Sequence, residues 1–376
     1  MNREELAGWL RLALTYEINN AAARRLLAAF GLPSAIFAQS RAALESVVGT
    51  EGAKAVLEEP AGFAEKLEAT WHWLSAAEAN APRTVLALGD ARYPAGALQL
   101  PDPPLMLYAI GQVPTPWPDA IAIVGSRNPT AQGLANAREF GASFARAGLT
   151  VVSGMALGID GAAHDGALGA AAPGMLATVA VIGTGADRVY PSQHRDLAHR
   201  IAANGIILSE YPIGTPPLAQ NFPKRNRLIA ALTHGTVVVE AALQSGSLIT
   251  ARQAAEQGKE VFAIPGSIHS PQARGCHALL KDGAKLVETA QDVLEELPQL
   301  AHRAKPQRKE KSAAQQPADA GDTLLDALGF DPASLDALIA RTGIAAPELQ
   351  ARLLELELAG DVARLPGGLF QRVGSG

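Results

Sequence analysis

The pattern of apolar and polar positions divides the chain into parts of different periodicity. Within residues 1–80, Leu6, Leu10 and Leu14 recur at helical spacing, and "GLPS" at residues 31–34 separates one helix from the next. Further along the chain, short apolar runs alternate with Ala-rich amphipathic stretches. That alternation predicts strands separated by helices.

Several of the short runs are apolar throughout, which is typical of parallel strands covered by helices on both faces. The predicted strands are Ile121–Val124, Thr150–Val152, Ala177–Val181, Ile206–Leu208, Thr236–Val239, Val261–Ala263 and Lys285–Val287. The stretches "TVLAL" and "LMLYAI" before them are also strand-like. We therefore predict an α/β fold with a Rossmann-like, doubly wound and mostly parallel sheet.

The rest of the chain supports a division into four segments. We predict a small helical domain over 1–80, the sheet domain over 84–298, a flexible linker over 299–321 and a winged helix over 322–376. The linker is polar and charged, without a period that could bury a face. In the last segment, "SLDALIARTG" and "PELQARLLELELAG" predict two helices, and "DVARLPGGLFQRV" predicts a hairpin that turns at Pro366-Gly367-Gly368.

Charge and composition limit the function classes. The net charge is -5, and only residues 299–321 are basic as a segment, at +3. Any polyanion must therefore meet a local patch. The longest uncharged run, residues 166–186, contains five Gly and one Pro, so we interpret it as a loop feeding a buried strand. No secretion or lipidation signal opens the sequence, and we expect a cytoplasmic protein without membrane contact. The single cysteine, Cys276, is expected in a turn.

Ligands of open parallel sheets lie beyond the carboxyl ends of the strands, so the strand ends hold the candidate residues. After the first parallel strand, Gly125 lets the backbone approach a ligand, Ser126 offers a hydroxyl and Arg127 can bind a phosphate. After the second, Ser153 and Gly154 precede a helix whose exposed N–H groups would suit an anion.

Acidic and imidazole side chains follow this second strand. For Asp160, His164 and Asp165 we favour capping and surface roles over a metal site, and we predict no metal and no cofactor. An alternative at Gly154 is that it merely permits a tight corner between strand and helix.

The stretch "NFPKRNR" places Lys224, Arg225 and Arg227 after the fourth parallel strand. Unpaired charges are costly to bury, so these cations either find carboxylates or stay solvated until an anion arrives, and we favour the anion. Phe222 beside them would add an aromatic face, the combination that holds single-stranded nucleic acid, unless it fills the core instead.

Further polar residues follow the fifth parallel strand. Glu240, Ser245 and Ser247 could contact phosphate or ribose, with Ser247 as a helix N-cap. No G-x-S-x-G elbow and no GxxxxGK[ST] loop occurs, so nucleophilic hydrolysis and P-loop nucleotide chemistry have little support. We predict no catalytic residue.

A series of motifs resembles the DprA/Smf family of DNA-processing proteins, in order from about Thr84 to Leu297. The motifs are "IVGSRNPT", "VVSGMALGIDGAAH", "GTGADRVYP", "SEYP", "NFPKRNRLIAAL", "VVVEAALQSGSLITARQAAEQGKEVFAIPG" and "GCHALLKDGAKLV". The two ends are similar to the sterile-alpha-motif-like domain and the winged helix that many members carry.

The resemblance implies a mediator without enzymatic activity that binds incoming single-stranded DNA during natural transformation. It also implies contact with single-strand-binding protein, loading of the RecA recombinase, and a homodimer formed through the Rossmann-like domain. Two loops correspond to the family's loops without departure: Gly125, Ser126 and Arg127 form one, and Phe222, Pro223, Lys224, Arg225, Asn226 and Arg227 form the other.

Three further points stay open at this level. A nucleotide phosphoribohydrolase that resembles lysine decarboxylases is the alternative, although "HGTVVVEA" lacks the Pro and Gly of that loop. The second helix of the winged helix is acidic, with Glu348, Glu355 and Glu357 against Arg352, so we expect a protein contact or a regulatory role in place of DNA binding. We expect the linker cations to be solvated spacers more than DNA contacts: Arg303, Lys305, Arg308, Lys309 and Lys311.

Overall fold

The computed structural model describes residues 1–297, 299–300, 323–329 and 331–373. The first part is helical, as predicted. Its five helices are α1 (Arg3–Leu14), α2 (Asn20–Phe30), α3 (Pro33–Phe37), α4 (Arg41–Leu57) and α5 (Phe63–Ser75). The predicted linker residues 301–321 and their five cations lie outside the described residues, and the four-segment division stays a prediction.

The central layer is a nine-stranded sheet. Its strands are β1 (Arg83–Ala87), β2 (Met106–Ile110), β3 (Ala120–Val124), β4 (Thr150–Ser153), β5 (Thr178–Ile182), β6 (Ile206–Ser209), β7 (Gly235–Val238), β8 (Glu260–Ala263) and β9 (Lys285–Leu286). The spatial order is β1-β2-β6-β5-β4-β3-β7-β8-β9. Pairing is parallel from β6 through to β9, whereas β2 runs antiparallel to both β1 and β6. This confirms the predicted Rossmann-like, mostly parallel sheet.

Helices between the strands cover both faces of the sheet. They are α6 (Ala95–Leu98), α7 (Ala131–Arg146), α8 (Ile159–Ala170), α9 (Arg195–Asn204), α10 (Asn221–Ala231), α11 (Ser247–Glu256), α12 (Arg274–Lys281) and α13 (Ala290–Glu295). Two large apolar clusters fill the layers, one on each face, and strand residues such as Ile121 and Ala122 alternate between them. Cys276, expected in a turn, is instead buried in α12 against β7 because its small thiol fits beside the Val238 and Val239 carbonyls.

The strand order reverses beside β3. From β3 the chain moves in one direction to β6, and from β7 it moves in the other direction to β9. Loops on either side of such a reversal separate at the carboxyl edge of the sheet and leave a crevice. The residues after β3 and β7 therefore stand where a ligand would enter.

The N-terminal helices pack directly on the antiparallel edge of the sheet. Leu6, Leu10 and Trp73 share one apolar cluster with Tyr108 of β2 and Val85 of β1. The Trp73 and Tyr108 rings meet edge to face, with centroids 6.1 Å apart. These helices therefore cover a sheet surface that would otherwise be exposed.

The C-terminal part has the predicted winged-helix elements. These are α14 (Thr323–Leu328), β10 (Ala333–Ser334), α15 (Leu335–Thr342), α16 (Ala346–Ala359), β11 (Val362–Leu365) and β12 (Leu369–Arg372). β11 and β12 form an antiparallel hairpin whose turn is Pro366-Gly367-Gly368, and both glycines have positive φ. Leu338, Leu349 and Leu353 form the centre of a separate apolar core. Among all described residues, no helix combines the length and the apolar character needed to cross a membrane.

Candidate nucleic-acid interface

A groove of about 690 Å³ lies at the carboxyl edge of the sheet. We call it the edge groove; its walls include residues 125–128 after β3, Tyr190 after β5, Phe222, Arg225 and Asn226 of α10, and residues 245–247 before α11. The strand reversal thus brings together side chains that are separated by more than a hundred positions in sequence. Most of the residues predicted for the site do line this groove.

Arg127 is the exposed cation of the edge groove. Its guanidinium carbon lies 5.7 Å from the centroid of the Phe222 ring, within the range of a cation–π contact. Among the described residues, no carboxylate forms an ion pair with Arg127. Its positive charge is therefore available to an anion at the mouth of the groove.

The backbone beneath Arg127 is held tightly by its surroundings. A Cβ atom on Gly125 would lie 2.6 Å from Ile159 Cγ1 and 2.9 Å from the Glu240 carbonyl oxygen, so no side chain fits there. Ser126 N donates to the Glu240 carbonyl oxygen at 2.7 Å, and Ser126 Oγ accepts from Asn128 N at 3.1 Å. Gly125 and Ser126 thus fix the position from which Arg127 projects.

Two aromatic rings stand together in the wall of the groove. The centroids of Tyr190 and Phe222 are 5.3 Å apart with an interplanar angle of 33°. Phe222 is half-buried, so it does not fill the core, which was the alternative to a role at the site. Gly183 makes room for the ring, because a Cβ atom on Gly183 would lie 2.9 Å from Phe222. Sequence reasoning missed Tyr190, although an aromatic residue beside a proline in a strand-end loop was a usable signal.

Arg225 is buried, contrary to the expectation of a solvated cation. Its Nη1 donates to the carbonyl oxygens of Gly154, at 2.8 Å, and Val181, and its Nε donates to Asn226 Oδ1 at 3.1 Å. Burial lowers its pKa to about 10, while the nearby Asp160 carboxylate opposes that shift. A Cβ on Gly154 would overlap this guanidinium, so Gly154 makes room for Arg225. The arginine joins the ends of β4 and β5.

Arg227 is also engaged, on the far side of α10. Its guanidinium forms an ion pair with the buried carboxylate of Glu210 and donates to the Asp102 carbonyl oxygen at 2.9 Å. Burial raises the pKa of Glu210, and Arg227 opposes the shift. The prediction that an anion is the more economical partner is therefore wrong for this residue, because a carboxylate already neutralises it.

Lys224 alone keeps its charge in solvent among the three cations of this stretch. Its Nζ lies 6.0 Å from the centroid of the Tyr211 ring, and the side chain is exposed. Lys224 is not among the residues that line the edge groove, although its sequence neighbours Pro223 and Arg225 are.

Two carboxylates of the protein itself accept hydrogen bonds near the edge groove, one from the loop after β4 and one at the start of α7. Asp160 Oδ2 accepts from the N–H groups of Gly154, at 3.1 Å, and Ala156, at 3.3 Å. Glu240 accepts from Thr130 N at 2.9 Å and Thr130 Oγ1 at 2.5 Å, at the start of α7. Burial raises the pKa of each carboxyl group, and these hydrogen bonds oppose the shift.

These internal carboxylates correct several predictions. The N–H groups of Gly154 and Ala156 after β4 already have the Asp160 carboxylate as acceptor, so they are not free for an external anion. Glu240 accepts from Thr130, the N-cap residue of α7, and this contact replaces the predicted one with phosphate or ribose. Ser153 is fully buried and donates to the Ile123 carbonyl oxygen at 2.6 Å, so its hydroxyl faces the interior. Ser153 and Gly154 support the groove without lining it.

The wall near α11 is polar. Ser245 Oγ and Ser247 Oγ are 2.7 Å apart, and Asn226 Nδ2 donates to the Gly246 carbonyl oxygen at 3.3 Å. Ser247 begins α11, but it accepts no capping bond from the helix; Ser247 N instead donates to Ser245 Oγ at 3.4 Å, a long contact. Hydroxyl and amide groups thus belong to the wall of the groove together with the aromatic rings.

His164 was expected in a capping or surface role, but it is fully buried. Its Nδ1 lies 2.6 Å from Thr178 Oγ1, and burial lowers its pKa to about 3. Asp165 does take the surface role, pairing with Arg200 at 2.7 Å and Arg138 at 3.3 Å. Asp160 takes neither predicted role: it is buried, and it accepts hydrogen bonds from the loop after β4, while no side chain caps α8. The three side chains therefore have three separate functions in the fold.

Comparison with known proteins identifies the family. Residues 84–298 match the model of DNA recombination-mediator protein A, and residues 308–368 match the DprA winged helix domain. The chain is 41% identical to protein Smf of Escherichia coli over 281 residues, 73% of this chain and 74% of that protein. It is 43% identical to DNA processing protein DprA of Streptococcus pneumoniae over 207 residues, 55% of this chain and 72% of that one.

Two solved structures agree with the sequence comparison. DprA of S. pneumoniae superposes with a TM-score of 0.63 at 33% identity, covering 79% of this chain and 98% of that one. DNA processing protein A of Helicobacter pylori, whose structure concerns its single-stranded DNA binding mode, gives a TM-score of 0.51 at 31% identity and covers 57% and 95%. This chain therefore belongs to the DNA recombination-mediator protein A family, which includes the DprA and Smf DNA-processing proteins.

Proposed function

We propose that this protein binds single-stranded DNA in the edge groove. The observation that carries the proposal is the unpaired Arg127, which stands in solvent beside the Phe222 ring, itself in contact with the tilted ring of Tyr190. A cation that follows the backbone, together with aromatic faces for the bases, is the combination that binds unpaired strands without sequence preference. Relatedness to the H. pylori protein, described for its single-stranded DNA binding, supports the same ligand.

The residues of the site divide into two roles in this proposal. Arg127 contacts a phosphate, Phe222 and Tyr190 stack on bases, and Lys224 adds charge nearby. The remaining wall residues, Gly125, Ser126, Asn226, Ser245 and Ser247, border the strand. Ser153, Gly154, Arg225 and Arg227 act as supports, since their polar groups are used inside the protein.

An unpaired strand suits this site better than a duplex. In a duplex the faces of the bases are stacked on each other, so the Phe222 and Tyr190 rings would have no partner, whereas in a single strand the faces are free. We accordingly propose a mediator role without enzymatic activity. The protein would protect incoming DNA in the cytoplasm, work alongside single-strand-binding protein, and load the RecA recombinase during natural transformation as a homodimer through its Rossmann-like domain.

Fluorescence anisotropy with a labelled single strand and the matching duplex tests the binding proposal. We expect tighter binding of the single strand, and a loss of about tenfold or more for Arg127→Ala, because a charge-assisted hydrogen bond contributes about 1.5–3 kcal/mol. Lys281→Ala is the matched control. It removes one exposed positive charge at the end of α12, which runs from the carboxyl edge of the sheet to the opposite edge. Equal affinities of Arg127→Ala and Lys281→Ala would remove Arg127 from the site.

A recombinase assay tests the mediator role separately. RecA assembly on a single strand coated with single-strand-binding protein should start sooner when the wild-type protein is added. Arg127→Ala should lose this effect in proportion to its loss of DNA binding. Tight DNA binding without any effect on RecA would contradict the mediator role and leave the binding site intact.

A further inference from the structure

Large apolar side chains are exposed on the loops that surround the edge groove. Six of the fourteen such side chains in the described part of the chain lie on five consecutive loops at the carboxyl edge of the sheet. Besides Tyr190, they are Leu157 after β4, Val189 after β5, Leu218 after β6, Leu243 after β7 and Ile268 after β8. We call these five aliphatic residues the apolar rim.

Four members of the apolar rim adjoin residues that line the edge groove. Leu243 stands between the wall residues Ala242 and Gln244, and Leu218 stands between Pro217 and Ala219. Leu157 follows the wall residue Ala156, and Val189 precedes Tyr190. None of the five residues lines the edge groove itself, so the apolar rim lies on the loops that form its border.

The exposure of the rim is costly unless a partner covers it. Leu243 is 60% exposed and Ile268 is 73% exposed, although each has a buried apolar core within a few residues. Single exposed apolar residues are ordinary, but a concentration of them around a polar groove marks a binding surface. Because the unpaired Arg127 lies within this rim, the best-matched ligand is a chain molecule with anionic groups along one side, for Arg127, and apolar groups along the other, for the rim.

We propose that the apolar rim carries the bases of the strand whose phosphates meet Arg127, an inference that rests on the proposed function. The flat faces of unpaired bases are the apolar side of such a chain, and its phosphates are the anionic side. The aliphatic loop tips would cover base faces on both sides of the two aromatic rings. DNA then crosses the sheet edge from the loop after β6 to the loop after β8.

The geometry sets the length of DNA that one protein molecule contacts. The two outermost rim loops follow strands that are five positions apart in the sheet order. At roughly 4.8 Å per strand this span is about 24 Å, which holds at most about seven nucleotides, since seven is the number at the stacked spacing of about 3.4 Å and unstacked bases are farther apart. Affinity per protein molecule should therefore stop rising at or below about seven nucleotides.

Anisotropy with the full chain and an oligothymidine of ten nucleotides tests the rim, using Leu243→Ser with Ile268→Ser. We expect about a tenfold loss of affinity, by the same factor at low and high salt, because the lost contact is apolar. A ten-residue abasic sugar-phosphate strand should bind the double variant and the wild type equally. Leu98→Ser is the control: Leu98 is 48% exposed on α6, which packs through Gly96 against the Ala231 carbonyl oxygen at the far end of α10.

The outcomes separate the two proposals. Failure of the wild type to bind the oligothymidine would defeat the proposed function and the rim together. Normal binding by the double variant would overturn the rim alone, and so would an equal loss on the abasic strand. Unchanged DNA binding together with lost binding to purified RecA would reassign these loops to a protein partner and overturn the inference.

Discussion

Arg127 follows β3 and Arg225 follows β6, both at the carboxyl edge of the sheet, yet the protein holds them in opposite ways. Arg127 projects into solvent beside an aromatic ring, whereas Arg225 donates to backbone carbonyl oxygens in the interior. The sequence predicts that both lie near the ligand edge, but it does not predict which one is free. The acceptors of Arg225 are up to 71 residues away in the chain, so only the folded arrangement reveals them.

The different surroundings predict different costs of removing each arginine. Arg225→Ala should destabilise the protein by about 3–5 kcal/mol, because it leaves the buried Gly154 and Val181 carbonyl groups without a donor and removes the positive charge near the buried Asp160 carboxylate. Arg127→Ala should change stability by no more than about 0.5 kcal/mol, since its side chain is exposed. Urea unfolding of both variants measures this difference. An Arg225→Ala variant as stable as the wild type would show that the guanidinium is dispensable for the fold.

At the scale of elements, the parallel strands were predicted to within a residue or two. Buried parallel strands are apolar on both faces, so their sequence signal is continuous. The position of β1 and β2 in the sheet could not be predicted from the sequence, because nothing local to those strands indicates that β2 pairs antiparallel with β6. For the same reason the sequence did not predict that the N-terminal helices share a core with this edge.

The contact between α8 and β5 predicts sensitivity to acid. His164 joins these elements through Thr178, and burial lowers its pKa to about 3, below its ordinary value of about 6.5. The unfolded chain therefore binds the proton more readily. Stability from this group is complete above pH of about 6.5 and falls by about 1.4 kcal/mol per unit as the pH decreases toward 3.

His164→Asn keeps a hydrogen-bonding side chain near Thr178 but does not titrate. The dependence of its unfolding free energy on pH between about 6 and 4 should therefore be flatter than that of the wild type. His199→Asn, at an exposed position of α9, is the matched control. Parallel pH profiles of His164→Asn and the wild type would contradict this role of His164.

At the scale of the whole molecule, the number of free cations determines how DNA binding depends on salt. Four free cations would give a slope of log affinity against log salt near -2.8, but Arg225 and Arg227 are engaged inside the protein. Arg127 and Lys224 alone predict a slope of about -1.4 for a single strand. Titrations between low and high salt measure the slope, and a value near -2.8 would require other cations in the interface.

The winged helix was predictable from sequence because two amphipathic helices and a Gly-rich hairpin are local signals. Its function is a separate matter. In α16, Glu348 pairs with Arg352 at 3.1 Å, which uses the one cation of that helix, and Glu355 and Glu357 add negative charge. A DNA backbone would be repelled by this helix.

Removing the winged helix should therefore leave DNA binding intact. A chain of residues 1–321, which keeps the linker, should bind a single strand within about twofold of the full chain, because the α16 charges oppose phosphate. Anisotropy on both chains compares them. A loss of tenfold or more in the shortened chain would assign a DNA contact to the winged helix.

The carboxylates of Asp160, which binds the loop after β4, and Glu240, which binds at the start of α7, have a consequence for selectivity. In nucleotide-binding proteins of this architecture, N–H groups that follow the strands would receive a pyrophosphate. Here acidic side chains already accept from such groups, so ATP and dinucleotides gain little there. Under the proposed function, free nucleotides would therefore compete poorly with single-stranded DNA, whose linked phosphates and bases would bind along the edge groove.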